Sequence, residues 1–108
     1  MKLYIGGAYQ GQEELAASEN PGAEIINEFH EKVREAILKG EDPRMFAHGV
    51  CLEKPDAVIV SNEVGAGIVP MEASERAFRE AVGRALCVIA QASDEVTRVV
   101  CGIGVRIK

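Results

Sequence analysis

The run Lys2-Leu3-Tyr4-Ile5-Gly6-Gly7-Ala8-Tyr9-Gln10-Gly11-Gln12-Glu13 reads as three pieces in succession. Residues 2–5 form a short buried strand, residues 6–11 a glycine-rich turn, and a helix is predicted over residues 12–18. A strand that feeds a helix through glycines five apart is the layout of a phosphate-binding loop, in which backbone N–H groups and the helix N-terminus hold an anion. On that reading Gly6, Gly7, Ala8, Tyr9, Gln10, Gly11, Gln12 and Glu13 are the candidate phosphate-binding residues. The same frame also serves as an ordinary strand-turn-helix junction. The full motif continues with a Lys that reaches the terminal phosphates and a Ser or Thr that holds magnesium. Gln12 supplies a hydrogen bond without charge, and Glu13 repels the polyphosphate that the helix dipole attracts. Both changes weaken triphosphate binding.

Downstream, strands and helices alternate. Asn20-Pro21-Gly22 breaks the chain, and residues 24–27 suit either a brief strand or the first turn of the next helix, with the strand favoured. Phe29, Val33, Ala36 and Ile37 recur at helical spacing, and Gly40 stands where a left-handed residue ends a helix. Asp42-Pro43 starts another helix, as an N-cap followed by proline at the first helical position, running to about Val50. Ala57-Val58-Ile59-Val60 is continuous and rich in β-branched residues, which suits a parallel strand covered on both faces. The polar residues Ser61, Asn62 and Glu63 begin a loop at its carboxyl end, where open α/β sheets place ligands. Glu63 suits the orientation of water or magnesium there, or equally a solvated loop position. Gly65 and Gly67 need only turn geometry.

A long helix is predicted over residues 72–92, with Ala73, Ala77, Phe78, Ala81, Val82, Ala85 and Leu86 on its apolar face. Residues 85–90 are apolar all round, which points to the deep core or a subunit interface. Two closing strands, residues 97–101 and 105–108, bend around Gly102 and Gly104. The alternation gives an α/β sandwich with a mostly parallel sheet.

With 108 residues, 47% of them hydrophobic, the chain suffices for one compact core, and 1–108 is read as a single domain. A formal charge of -5 without a Lys/Arg cluster argues against nucleic acid as a partner. No run approaches the length of a membrane span, and the start of the chain lacks the pattern of a signal peptide. Cys51, Cys87 and Cys101 lack C-x-x-C spacing and read as buried thiols of a cytoplasmic protein, with no metal site. His30 and His48 read as surface or capping residues near helix ends.

The eleven residues Val60-Ser61-Asn62-Glu63-Val64-Gly65-Ala66-Gly67-Ile68-Val69-Pro70 resemble the VSNEVGxGIVP signature of the cobinamide kinase / cobinamide-phosphate guanylyltransferase family. Arg76-Ala77-Phe78-Arg79-Glu80, Gly83-Arg84, Ala92-Ser93-Asp94-Glu95-Val96 and Val99-Val100-Cys101-Gly102-Ile103 follow in the family's register. Gly6 to Gly11 is similar to its GGARSGKS loop. The resemblance implies a P-loop, RecA-like three-layer α/β sandwich with a closing edge hairpin, here in a short form. It also implies phosphorylation of the aminopropanol hydroxyl of adenosylcobinamide, followed by GMP transfer. Implied cofactors are GTP or ATP with Mg2+. Implied partners are nucleotide and corrinoid small molecules and a homo-oligomer, a trimer in the family.

The departures from the family pattern define a degenerate form. Gln12 and Glu13 replace the loop's Lys and Ser. Asn27 stands in the place of the Asp that carries magnesium, a neutral side chain where charge is needed. The segment bearing the guanylylated histidine has no counterpart, and His30 is not in that motif. Leu86 and Cys87 occupy positions where the family often has Asn-Gln. Glu63 is then the remaining carboxylate for catalysis, with Asn27, Ser61 and Asn62 lining the site. The expected outcome is a cobalamin biosynthesis protein of reduced or lost kinase activity, or a non-catalytic binding or assembly module.

Overall fold

The computed structural model describes residues 1–63 and 73–108. The chain runs β1 (Lys2–Gly6), α1 (Gln12–Glu19), β2 (Ile25–Ile26), α2 (Phe29–Leu38), α3 (Pro43–Glu53), β3 (Val58–Asn62), α4 (Ala73–Ala92), β4 (Glu95–Val100) and β5 (Ile103–Arg106). One five-stranded sheet has the order β2-β3-β1-β4-β5. The first four strands are parallel, and β5 pairs antiparallel with β4. Helix α1 covers one face and α2, α3 and α4 the other, so the expected three-layer, mostly parallel α/β sandwich with a closing hairpin is what forms.

Local chemistry accounts for the element ends. Gly40, at φ 82, closes α2: its N–H donates to the Ile37 carbonyl at 3.0 Å, and Glu41 N–H donates to the Ala36 carbonyl at 2.9 Å. That pair of bonds satisfies two carbonyls the helix end would leave open. The Asp42 carboxylate accepts from Arg44 N–H at 2.8 Å and Met45 N–H at 3.2 Å, with Pro43 where no N–H is needed. Helix α3 continues to Glu53, one turn past the expected Val50. The closing hairpin turns through Cys101 (φ 51) and Gly102 (φ 76), and Val100 pairs with Ile103. Positive φ at both central residues gives the turn whose twist matches that of the strands.

Side-chain alternation along the strands divides the core in two. Leu3, Ile59 and Val96 point toward α2, α3 and α4, where they meet Phe29, Val33, Phe78, Val82, Ala85 and Ile89. Tyr4, Val58, Val60 and Val99 point toward Ala16 and Leu15 of α1.

Several expectations are corrected. Strand β3 extends to Asn62, so Ser61 and Asn62 belong to the sheet and not to a loop. The buried stripe of α4 is Phe78, Val82, Ala85 and Ile89, while Ala73 and Ala77, placed on the apolar face from sequence, are exposed. Of the two readings of residues 85–90, the deep core does not hold all round, because Cys87 is exposed. Cys101 is exposed as well and Cys51 is half-buried, so the three thiols are not all core residues. His30, expected as a surface or capping residue, is buried in the first turn of α2, whereas His48 is exposed. The glycines Gly65 and Gly67, and the start of the long helix at Glu72, lie outside the described residues.

Candidate functional site

Strand β1 delivers the glycine turn to the carboxyl edge of the sheet, between β3 and β4. Gly6 is required by its neighbour, because a Cβ there would lie 2.6 Å from the Val99 carbonyl oxygen. Gly11 precedes α1 at φ 86, a left-handed conformation that glycine adopts without penalty. Between them the chain is held from two sides. Outside, the Gln10 carbonyl accepts from Gly102 N–H and its side-chain Oε1 accepts from Cys101 N–H, both at 2.7 Å. Inside, the Gln12 Nε2 amide donates to the Gly7 carbonyl at 3.1 Å, the Gly6 carbonyl at 3.3 Å and Asn62 Oδ1 at 3.0 Å. Gln12 is buried, so these contacts replace water for its amide.

A cleft of about 860 Å³ opens beside this turn on the α1 face. Ala8, Tyr9, Gly11, Gln12 and Glu13 form one wall, and Asn27, Ser61 and Asn62 another, so eight of the residues singled out from sequence meet at one place. Gly6, Gly7 and Gln10 shape the turn without lining the cleft. Glu63 is not brought there. Its N–H donates to the Gly6 carbonyl at 2.7 Å, but its carboxylate lies 3.6 Å from Arg98 Nε and borders a separate, largely apolar cavity of about 310 Å³ beside Leu3 and Ile5. Glu63 follows the last residue of β3, and its carboxylate turns toward Arg98 while the Asn62 side chain accepts from Gln12.

The cleft is acidic. Glu13, Glu14 and Glu28 line it, and no Lys, Arg or His is among its described lining residues. Among the described residues, no group of three His, Cys, Asp or Glu side chains is arranged to hold a metal ion. Among the described residues, three non-glycine residues have positive φ: Tyr9 (61), Glu28 (51) and Cys101 (51). Tyr9 and Glu28 line the cleft, and Cys101 precedes Gly102, which also lines it. Conformations of this kind cost of order 1–3 kcal/mol each and gather at functional sites.

Sequence reasoning missed His30. It lies one helical residue after Phe29, 7% exposed, and its Nδ1 accepts the Asn62 backbone N–H at 3.2 Å. The available signal was its position, in the first turn of a helix that follows a strand ending at the carboxyl edge of the sheet. Burial pushes its imidazole below the usual value, and the carboxylates of Glu31 and Glu28 pull it part of the way back.

Residues 25–107 match the family described as CobU, cobinamide kinase / cobinamide phosphate guanyltransferase. A stretch of 51 residues is 55% identical to the bifunctional adenosylcobalamin biosynthesis protein CobU of Salmonella typhimurium (strain LT2), and 53% identical to the protein of the same name from Escherichia coli (strain K12). Each match covers 47% of this chain and 28% of the relative's own length. The family match begins at β2, so the glycine turn lies outside it and stands on its geometry alone. With the match extending from β2 through the closing hairpin, the chain belongs to the cobinamide kinase / cobinamide phosphate guanyltransferase family.

Proposed function

We propose that this chain serves adenosylcobalamin biosynthesis as a family member that has lost efficient phosphoryl and guanylyl transfer, retaining the sheet and the cleft as a binding or assembly module. The observation that carries this is the Gln12 amide, which donates to the oxygens of Gly6, Gly7 and Asn62. In a working phosphate loop that position sends a lysine charge outward to the phosphates. Here it is neutral and spent on the turn's own carbonyls. The three carboxylates on the cleft walls, with no cation among the described lining residues, oppose a polyphosphate further. The residues present do not fit GTP or ATP with Mg2+, and no step is assigned to either. Losing the lysine charge alone removes several kcal/mol of transition-state stabilisation.

A reduced kinase is the second reading, favoured by the retained frame of Gly6 and Gly11 at the carboxyl edge of a parallel sheet. Calorimetry with GTP, ATP and cobinamide, with and without magnesium, separates the two. Wild type is expected to bind nucleotide weakly. The double change Gln12→Lys with Glu13→Ser adds the missing charge and hydroxyl, and should tighten nucleotide binding by one to two orders of magnitude, about 1.4 kcal/mol for each. Tight GTP–Mg binding by wild type, or no gain in the double variant, defeats the non-catalytic reading.

The cellular setting on this reading is the cytoplasm, with a corrinoid and further copies of the chain as partners. The exposed apolar residues Val100, Ile103, Val105 and Ile107 supply surface for self-association, which sedimentation at micromolar concentration measures. Among the described residues, no helix is long and apolar enough to cross a membrane.

A further inference from the structure

The turn's internal bond to Asn62 has a continuation on the far side of that residue. Asn62 Oδ1 accepts from Gln12, while Asn62 N–H donates to His30 Nδ1 at 3.2 Å. A backbone N–H can only donate, so Nδ1 must offer its lone pair and the imidazole proton must sit on Nε2. The neutral ring is therefore built into the contact. From His30 three successive groups, the ring, Asn62 and the Gln12 amide, lead to the carbonyls of Gly6 and Gly7.

We propose that His30 is a proton-operated latch on the glycine turn: a proton on Nδ1 faces the Asn62 N–H donor to donor, breaks that bond, and loosens the Asn62–Gln12 contact that braces the turn from inside. The charged groups around His30 are few among the described residues. On α2, Glu31 Oε1 lies 3.8 Å from Nε2, Glu28 precedes the helix, and Arg34 follows one turn later. Arg34 is itself engaged by Glu31 at 3.5 Å and by Glu75 of α4 at 3.6 Å. Glu63, next to β3, is turned away toward Arg98, and Gln12 is neutral.

Burial outweighs the two glutamates, so the folded imidazole protonates below its ordinary value of 6.5. A folded-state value below the unfolded one means that the latch's stabilisation is complete above 6.5 and is lost as pH falls from there through the folded value. The latch is closed above pH 6.5 and opens as pH falls below it, through the folded value. It does not depend on what the cleft binds.

Nitrogen-15 NMR of the full chain, followed from neutral into mildly acidic pH, tests this without any ligand. At neutral pH, His30 Nδ1 should resonate as an unprotonated acceptor. As it protonates, exchange protection of the Asn62 N–H should fall roughly tenfold, the worth of one buried hydrogen bond, with the Gln12 side-chain amide following at the same midpoint. His30→Asn keeps an acceptor near the Nδ1 position but cannot titrate, so its Asn62 N–H should stay protected across the range. His30→Phe removes the acceptor and should lack that protection at every pH; if it does not fold, wild type and His30→Asn still decide the matter. Unchanged Asn62 protection through the His30 titration, or a pH step that persists in His30→Asn, overturns the proposal.

Discussion

On the face of the sheet covered by three helices, Leu3, Phe29, Val33, Ile59, Val82 and Ile89 are wholly or almost wholly buried in one apolar cluster, and the Phe29 and Phe46 rings stack with centroids 5.9 Å apart. On the face covered by α1 alone, Tyr4, Val58, Val60 and Val99 meet little more than Ala16 and Leu15. Polar contacts make up the difference there: Tyr4 OH donates to Glu19 Oε1 at 2.8 Å and accepts from Asn20 Nδ2 at 3.0 Å. Apolar burial contributes about 25 cal/mol per Å², so most of the stability belongs to the three-helix face. The thinner face has room for a cleft, and at its rim the chain tolerates strained residues and an exposed Tyr9.

Phe29→Ala tests this division most severely. The ring is fully buried between α2, α3 and the sheet, and its loss should cost about 3–5 kcal/mol in denaturant unfolding. A cost below about 1 kcal/mol would mean that the three-helix face is not where stability resides.

Gly6→Ala sharpens the contrast at the junction of the faces. Its new methyl meets the Val99 carbonyl oxygen at 2.6 Å, and backbone cannot move aside as a side chain does. A destabilisation of about 1–3 kcal/mol is expected, with faster exchange of the Gln12 side-chain amide as the turn shifts. Full stability with an undisturbed Gln12 amide would show that the turn is looser than its contacts imply.

Tyr4→Phe is the mildest change, confined to the α1 face. It keeps the ring and removes a hydroxyl shared by Glu19 and Asn20, at a cost of about 1 kcal/mol. Burial, then the hydrogen bond to Glu19, raises the Tyr4 phenol above its ordinary value of 10.0. Its contribution is therefore present below pH 10.0 and lost as pH rises from there toward the folded value. Alkaline unfolding curves of wild type and Tyr4→Phe should differ in that window, and identical curves would remove Tyr4 from the account of this face.

Most of the element order was legible because it depends on neighbours along the chain. Glycine at a left-handed helix end, Asp-Pro at a helix start and a β-branched run in a buried strand each act through local sterics or hydrogen bonds, and Gly40, Asp42 and residues 58–60 behave accordingly. The gathering of the glycine turn, Asn27, Ser61 and Asn62 at one cleft was legible too, because parallel strands bring their carboxyl ends to one edge. The side on which Glu63 emerges was not legible, since it depends on where β3 ends, two pairings beyond what the apolar run marks. Cys87 and Cys101 sit among apolar residues in sequence yet face solvent, because the helix and hairpin that carry them are each covered on one side only.

The residues alone determined the mostly parallel α/β class, the strand and helix punctuation and the absence of charge at Gln12, all of which rest on local conformation or on side-chain chemistry. Tertiary structure decided what Gln12 does with its amide and what His30 is for. Their contacts span 50 residues from Gln12 to Asn62 and 32 from Asn62 to His30. Hydrogen bonds across such separations exist only once β1, β3 and the start of α2 are packed side by side, and no local pattern encodes them.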